Sequence, residues 1–168
     1  EQWLASKNHD DWKEIPSPHY ACKQFSLVEN GSPLAIGKAT SVVHCSAELA
    51  LANLWMQCTF RNMNAHFKKN GKLPRAIYRI VNNHHQFYHT YKRMPSPFLA
   101  REFILQQLWR REANGTYVFV WRPPVTPEDP PTRAGVTAKF QSAEAIGICL
   151  VGPLPFSSCR ITYINGLN

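Results

Sequence analysis

The dipeptide Asn114-Gly115 is the feature that most constrains how this chain folds. It separates two runs rich in β-branched and aromatic residues, Arg101–Ala113 and Thr116–Arg122. Asn-Gly between such runs predicts a tight β-hairpin, because both residues of a two-residue turn need positive φ angles and this pair adopts them readily. The chain is therefore expected to contain a long antiparallel strand pair.

Other β-like runs surround this hairpin along the chain. Residues 123–133 contain five prolines and predict a loop that separates strands. Turn-forming residues bound the remaining runs, as is usual for strands. These runs are Cys22–Glu29, Leu34–Cys45, Arg75–Asn82, Gln86–Met94, Val136–Val151 and Cys159–Ile164.

Two helices are predicted before residue 75. Ser46 is a suitable N-cap, and Glu48 places a negative charge in the first turn. Apolar residues then follow at the spacing of one helical face, namely Leu51, Leu54, Trp55 and Cys58. A second, short helix is predicted through Phe60, Met63 and Phe67, ending at Asn70-Gly71. Helices within an antiparallel sheet indicate an α+β fold.

Length and composition exclude several classes of protein. A chain of 168 residues, 44% hydrophobic and 18% charged, fits a single globular domain over 1–168. No apolar run approaches the roughly 20 residues of a membrane span, and the polar first residues do not resemble a signal peptide. The start at Glu1 predicts that this domain belongs to a longer chain. Five widely spaced cysteines predict reduced thiols and a cytoplasmic location.

Basic residues are concentrated in the middle of the chain. Between Arg61 and Arg111 there are eleven lysines and arginines and one acid, Glu102, for a net charge of +10; the total of +8 leaves −2 elsewhere. Such a segment suits an anionic partner, either a phospholipid surface or nucleic acid, or else forms a solvated face. Basic residues beside Tyr91 and Trp109 could indicate nucleic acid, but strand alternation explains them better and argues against that partner.

The sequence contains no catalytic motif of the nucleophile-elbow, Walker, dinucleotide or zincin type. Glu102 and Glu112 lie ten residues apart on one predicted strand, roughly 33 Å, which is too far for an acid–base pair. His85 and His89 share a strand face about 13 Å apart, too far to bind one metal ion. We therefore expect no catalytic residue, no metal and no cofactor.

One stretch resembles the middle signature of the START (steroidogenic-acute-regulatory-protein-related lipid transfer) domains. In that family a proline-containing loop leads into Arg-Asp/Glu-Phe-Val at the start of a long strand, as in Met94–Ile104. The hairpin and the proline-rich loop that follow are also similar. Further similar segments occur in the same order, at residues 12–14, 42–46 and 159–164. The resemblance covers most of the chain and is weakest from 56 to 75.

The resemblance implies a helix-grip fold, in which a curved antiparallel sheet surrounds a long C-terminal helix and leaves a tunnel for a lipid or another apolar ligand. It implies non-catalytic binding, and transfer or sensing, of that ligand. The chain departs from the family in three ways. It ends at Asn168, before the final helix, so the domain is expected to be incomplete. Met63-Asn64 stand near a usual tryptophan, and Gln107 replaces the cavity arginine of sterol-binding relatives. A neutral amide can orient a hydroxyl or an ester but cannot pair with a phosphate.

The hairpin and the resemblance together predict the ligand-binding residues. With Asn114-Gly115 as a two-residue turn, Trp109 lies opposite Val120 and Arg111 opposite Val118. The resemblance turns the face that carries Gln107 toward the tunnel. The predicted ligand-binding residues on that face are Phe103, Leu105, Gln107, Trp109, Val118 and Val120. The other face, with Ile104, Leu108, Phe119 and Trp121, is expected to pack against a neighbouring element.

Further roles follow for charged residues. Arg101 and Glu102 form the structural signature, and Arg101 is expected to make a salt bridge or to contact backbone carbonyls. The lysines Lys68, Lys69 and Lys72 are predicted to face an anionic membrane to which the protein binds peripherally. Two rival functions stay open: a helix-grip enzyme of the cyclase or hydrolase type, and a protein- or nucleic-acid-interaction module that uses segment 61–111.

Overall fold

A computed structural model describes residues 12–28, 35–126, 129–133 and 136–167. In these residues the chain forms ten strands, two α-helices and one 3-10 helix, Pro131–Arg133. The α-helices are α1 (Ala47–Trp55) and α2 (Phe60–Asn70). The strands are β1 (Lys13–Ile15), β2 (Cys22–Val28), β3 (Ala35–Val43), β4 (Arg75–Asn82), β5 (His85–Lys92), β6 (Ala100–Arg111), β7 (Tyr117–Arg122), β8 (Phe140–Ser142), β9 (Ala145–Leu154) and β10 (Ser158–Leu167).

All ten strands join one sheet in the order β1-β2-β3-β10-β9-β7-β6-β5-β4. Every pairing along this order is antiparallel, and the short strand β8 pairs in parallel with the start of β6. The predicted α+β fold with a large antiparallel sheet is confirmed. The predicted run 136–151 is interrupted: residues 143 and 144 separate β8, which pairs with β6, from β9, which pairs with β7 and β10.

The β6–β7 hairpin exists, but its predicted register is wrong by one residue. Trp109 pairs with Phe119 rather than with Val120. The loop holds three residues, because the backbone N–H of Glu112 donates to the carbonyl of Thr116 at 2.8 Å. Within the described loop only Gly115 has a positive φ, 83°, so Asn114-Gly115 does not form the two-residue turn. The extra residue moves every β7 side chain to the other face of the sheet.

Helix α1 begins and packs as its sequence predicts. The side-chain oxygen of Ser46 accepts a hydrogen bond from the backbone N–H of Leu49 at 3.2 Å, which is an N-cap. Ala47, Ala50 and Leu51 are buried and belong to the same apolar core as the β7 and β9 residues Phe119, Cys149 and Val151. We call the side of the sheet that α1 covers the helix face, and the other side the opposite face. Cys58, predicted on α1, lies beyond its end.

Helix α2 buries two polar residues, whereas its predicted apolar residues Met63 and Phe67 are half-buried. Phe60, at its start, is 83% exposed, whereas His66 and Asn70 are buried. His66 Nε2 lies 2.8 Å from the carbonyl of Leu73, and Asn70 Oδ1 accepts from the backbone N–H of Arg93 at 3.0 Å. The helix ends at Gly71 in the left-handed region, as predicted. Neither of the described α-helices has the length and apolarity that crossing a membrane requires.

Candidate functional site

The central strand β6 brings most of the predicted ligand-binding residues to the helix face. Phe103, Leu105 and Gln107 alternate along β6 and are all buried. Their cross-strand neighbours on β5 are Thr90, Tyr88 and Gln86, in that order. The structure therefore groups these three predicted residues beneath the helices. Whether they touch a ligand stays a prediction.

Gln107 forms a buried amide pair with its cross-strand neighbour Gln86. The side-chain N–H₂ of Gln86 donates to Gln107 Oε1 at 2.9 Å and to the backbone carbonyl of Trp55, at the end of α1, at 3.1 Å. Among the described residues, neither the Gln107 amide nitrogen nor the Gln86 carbonyl oxygen has another hydrogen bond. The pair thus keeps one donor group and one acceptor unused on the helix face. Sequence reasoning found Gln107 but missed Gln86.

Trp109 lies at the outer end of this row and is only half-buried. Its indole N–H donates to the backbone carbonyl of Asn83 at 2.9 Å, and its ring lies 4.1 Å from that of His84. Its ring also contacts Tyr117 edge-on, at 6.0 Å between centroids. These contacts attach β6 to the β4–β5 turn.

Val118 and Val120 do not share the face of Gln107, so their predicted place on that face is wrong, and whether they bind a ligand stays a prediction. Their places on the helix face are taken by Tyr117, Phe119 and Trp121, all buried, because of the three-residue hairpin loop. Val120 instead lines an apolar cavity of about 280 Å³ with opposite-face residues. Its other apolar lining side chains include Ile36, Leu108, Ile146, Ile148 and Ile164.

The signature residues Arg101 and Glu102 have different partners. Arg101 Nη1 donates to the neutral side-chain oxygen of Gln141 on β8, in place of the expected salt bridge or backbone contacts. The buried salt bridge is made by Glu102, which is 1% exposed: the guanidinium of Arg133 donates to both of its oxygens, at 2.9 and 2.8 Å. Arg133 comes from the proline-rich segment, which gave no signal for this role.

Three more side chains complete a hub around Glu102 on the opposite face. Tyr91 donates its hydroxyl to Oε1 at 2.9 Å, Ser142 donates to Oε2 at 3.1 Å, and His89 Nε2 lies 3.0 Å from Oε1. Burial lowers the pKa of His89, although its bond to Glu102 acts in the other direction. His89 Nε2 is the donor in that bond, because the oxygens of an ionised carboxylate only accept. Both oxygens of Glu102 are fully used.

The remaining predicted residues lie apart from this row. His85 shares the opposite face with His89 but bonds to Gln106, and the described residues bring no three metal-ligating side chains together. Lys68 and Lys69 are exposed in the last turn of α2, and Lys72 is exposed just beyond it. That these lysines face a membrane stays a prediction.

Comparison with solved structures identifies the fold. The chain is similar to the human StarD13 (DLC2) lipid transfer and protein localization domain, with a TM-score of 0.72 and 16% identity over 99% of this chain and 79% of that chain. It is similar to human STARD10, with a TM-score of 0.73 and 16% identity over 99% of this chain and 64% of that chain. It is also similar to human StAR-related lipid transfer protein 5, with a TM-score of 0.73 and 13% identity over 99% of this chain and 76% of that chain.

These similarities confirm the fold that the sequence resemblance predicts, that of START domains. No protein-family model matches the chain, and a search of curated proteins gives no match.

Proposed function

We propose that the chain binds one hydrophobic lipid non-covalently on the helix face of its sheet, for transfer or sensing. The observation that carries the proposal is the buried row Phe103, Leu105, Gln107, in which two apolar side chains lead to an amide pair with unused hydrogen-bonding groups. The START fold supports it, because the similar structures are described as lipid transfer proteins. Burial of an acyl chain, at about 0.8 kcal/mol per methylene, supplies the affinity.

The amide pair favours a ligand with a hydroxyl or ester headgroup. The unused N–H₂ of Gln107 is a donor, and the unused carbonyl of Gln86 is an acceptor. A hydroxyl group satisfies both at once, and an ester carbonyl satisfies the donor. The pair carries no charge, so it does not offset the charge of a phosphate.

The proposal includes no catalysis. The one acid that is buried among the described residues is Glu102, which lies on the opposite face and is neutralised by Arg133. It therefore has no free oxygen with which to accept a proton from a substrate. The enzyme alternative would need an acid–base pair on the helix face, and the amides of Gln86 and Gln107 do not titrate.

The test is native mass spectrometry of the detergent-free protein after incubation with mixed phospholipid and sterol vesicles. We expect one lipid per chain. The variant Ile164→Trp, which fills the opposite-face cavity, should bind the same lipid equally well. Loss of binding in Ile164→Trp would move the ligand to that cavity. A protein that stays empty, and that shifts with single-stranded RNA on a gel, would instead support the interaction module that uses segment 61–111.

A further inference from the structure

A group of cations that form no salt bridge with a described residue lies at one end of the β4–β5 pair. Arg75 begins β4 and Lys92 ends β5, so the antiparallel pairing brings both to the same end of the sheet. Arg75 pairs with Thr90, and Lys92 follows two residues later on the same side, the helix face. Lys69, in the last turn of α2, lies near enough that its charge lowers the pKa of Lys92.

In the described part of the chain, no carboxylate forms a salt bridge with Arg75, Lys92 or Lys69. The sequence has no Asp or Glu from Arg61 to Arg101. Lys92 instead lies directly across the strand pair from Arg101, and like charges in that position repel each other. Burial, followed by the charges of Lys69 and Arg75, lowers the pKa of Lys92. The folded chain therefore holds several positive charges together at a cost that an anion would remove.

Arg75 supplies hydrogen-bond donors that the described residues leave unused. Its Nε is buried and has no hydrogen-bond partner in the described part of the chain. Its Nη1 makes a long contact of 3.5 Å with the hydroxyl of Tyr88. A guanidinium carries five N–H donors in a planar fork that matches the oxygens of a phosphate.

From this geometry we infer that Arg75, Lys92 and Lys69 form a binding site for a phosphate monoester. A monoester carries a charge of about −1.5 to −2 at pH 7 and three acceptor oxygens, which suits three cations better than the single charge of a carboxylate or phosphodiester. The site is separate from the amide pair: Arg101, beside Lys92, lies six residues from Gln107 along β6, roughly 20 Å by strand rise. Lys92 Nζ lies 5.8 Å from the centre of the Phe103 ring, so the site borders the other end of the proposed lipid row, and binding of inorganic phosphate tests it without a lipid.

The experiment has two arms, because the monoester could be free in solution or part of a lipid. In one arm, equilibrium dialysis measures binding of inorganic phosphate to the whole protein. In the other, co-sedimentation compares vesicles that contain phosphatidic acid, a monoester, with phosphatidylserine vesicles of equal surface charge. The variants are Lys92→Gln and Arg75→Gln, with the exposed Lys23→Gln on β2 as the matched control.

We expect roughly ten- to hundredfold weaker phosphate-monoester binding in each site variant and wild-type binding in Lys23→Gln, since hydrogen bonds to a charged group are stronger than those between neutral groups. A loss in both arms supports general phosphate recognition. A loss in the vesicle arm alone identifies a lipid headgroup, and a loss in the dialysis arm alone identifies a soluble ligand. Equal sedimentation with both vesicle types, together with no binding in dialysis, overturns the inference. A loss of binding in Lys23→Gln as large as that in the site variants also overturns it. Because Lys92 ends β5 and its side chain, though partly covered, reaches solvent, its variant is expected to fold even if that of Arg75 does not.

Discussion

Strand β6 carries two buried polar side chains, Glu102 and Gln107, on opposite faces of the sheet, and their hydrogen-bonding groups are satisfied in different ways. Glu102, on the opposite face, is charged and receives hydrogen bonds from Arg133, Tyr91, His89 and Ser142. Gln107, on the helix face, is neutral, and among the described residues its hydrogen bond comes from Gln86. A saturated charge fixes structure, because it offers nothing further to bind. A neutral amide with unused donors is stable when buried and can still bind a polar headgroup.

The first prediction removes the charge of Glu102, whose hydrogen-bonding groups are all used. Glu102→Gln removes the charge and turns an amide N–H₂ toward Arg133, which keeps its own charge. Removing one partner of a buried ion pair costs about 3–5 kcal/mol, and since Arg133 is 36% exposed we expect a loss of about 3 kcal/mol in the free energy of unfolding. Urea denaturation measures this loss. The control is Glu144→Gln, at an exposed position. If the two variants lose the same stability, the Glu102 hub is not a structural element.

The second prediction concerns the loss of stability at acidic pH. Burial alone would raise the pKa of Glu102, but hydrogen bonds from Arg133, Tyr91 and His89 together bring it below the ordinary 4.5. Burial lowers the pKa of His89 from 6.5, and that of His66 likewise. All three groups therefore bind protons more readily in the unfolded chain. Their contribution to stability is complete above about pH 6.5 and is lost as the pH falls through the folded-state values.

Urea denaturation at a series of pH values between about 8 and 4 measures this dependence. We expect the free energy of unfolding to fall below about pH 6.5 in the wild type. His89→Gln should remove the His89 part of that fall, and His66→Gln, outside the hub, should remove a separate part. A wild-type profile that is flat from neutral to acid pH contradicts the assignment of these protonation states.

Local signals in the sequence predicted much of the fold. The N-cap at Ser46 and the stop at Asn70-Gly71 depend on neighbouring residues alone, and both are confirmed. Most strand positions are correct to within two residues, because turn-forming residues mark their ends. The START fold could be predicted only from the resemblance to a known family, because the order of strands in the sheet depends on pairings between distant segments.

The parts that were missed depend on single backbone angles or on distant segments. Asn114 does not adopt the positive φ that its dipeptide usually favours, and this one residue moved Val118 and Val120 to the opposite face. Gln86 becomes the partner of Gln107 only through the β5–β6 register, which the intervening loop determines. Arg133 reaches Glu102 from 31 residues away in a proline-rich segment.

The third prediction tests the unused hydrogen-bonding groups of Gln107 by comparing it with the adjacent glutamine, Gln106. Gln107→Leu removes the headgroup contact without opening a cavity. Affinity for lipids with a hydroxyl or ester headgroup should therefore fall by about 1 kcal/mol, the net value of one hydrogen bond, and should hold or rise for a purely apolar probe. Gln106→Leu, one residue away, is the control, because Gln106 bonds to His85 and Arg122 on the opposite face.

A fluorescent-lipid titration in detergent-free buffer measures both affinities. If Gln106→Leu changes headgroup preference and Gln107→Leu does not, the ligand lies on the opposite face of the sheet. The cavity lined by Val120 would then be the binding site.

The smallest effect on affinity is expected at the exposed lysines of α2, which separate binding from access to a membrane. The double variant Lys68→Glu, Lys72→Glu should leave the solution affinity for lipid unchanged, because neither side chain lies on the row of Gln107. Extraction from anionic vesicles should slow by roughly fivefold per lysine, since each basic residue near such a surface contributes about 1 kcal/mol.

Neutral vesicles and high salt should abolish the difference, because salt screens exposed charges. Lys23→Glu on β2 serves as the matched control. A transfer assay between the two vesicle types measures these rates. Loss of lipid affinity in solution would instead assign the lysines to the ligand site, and the membrane-docking role would be wrong.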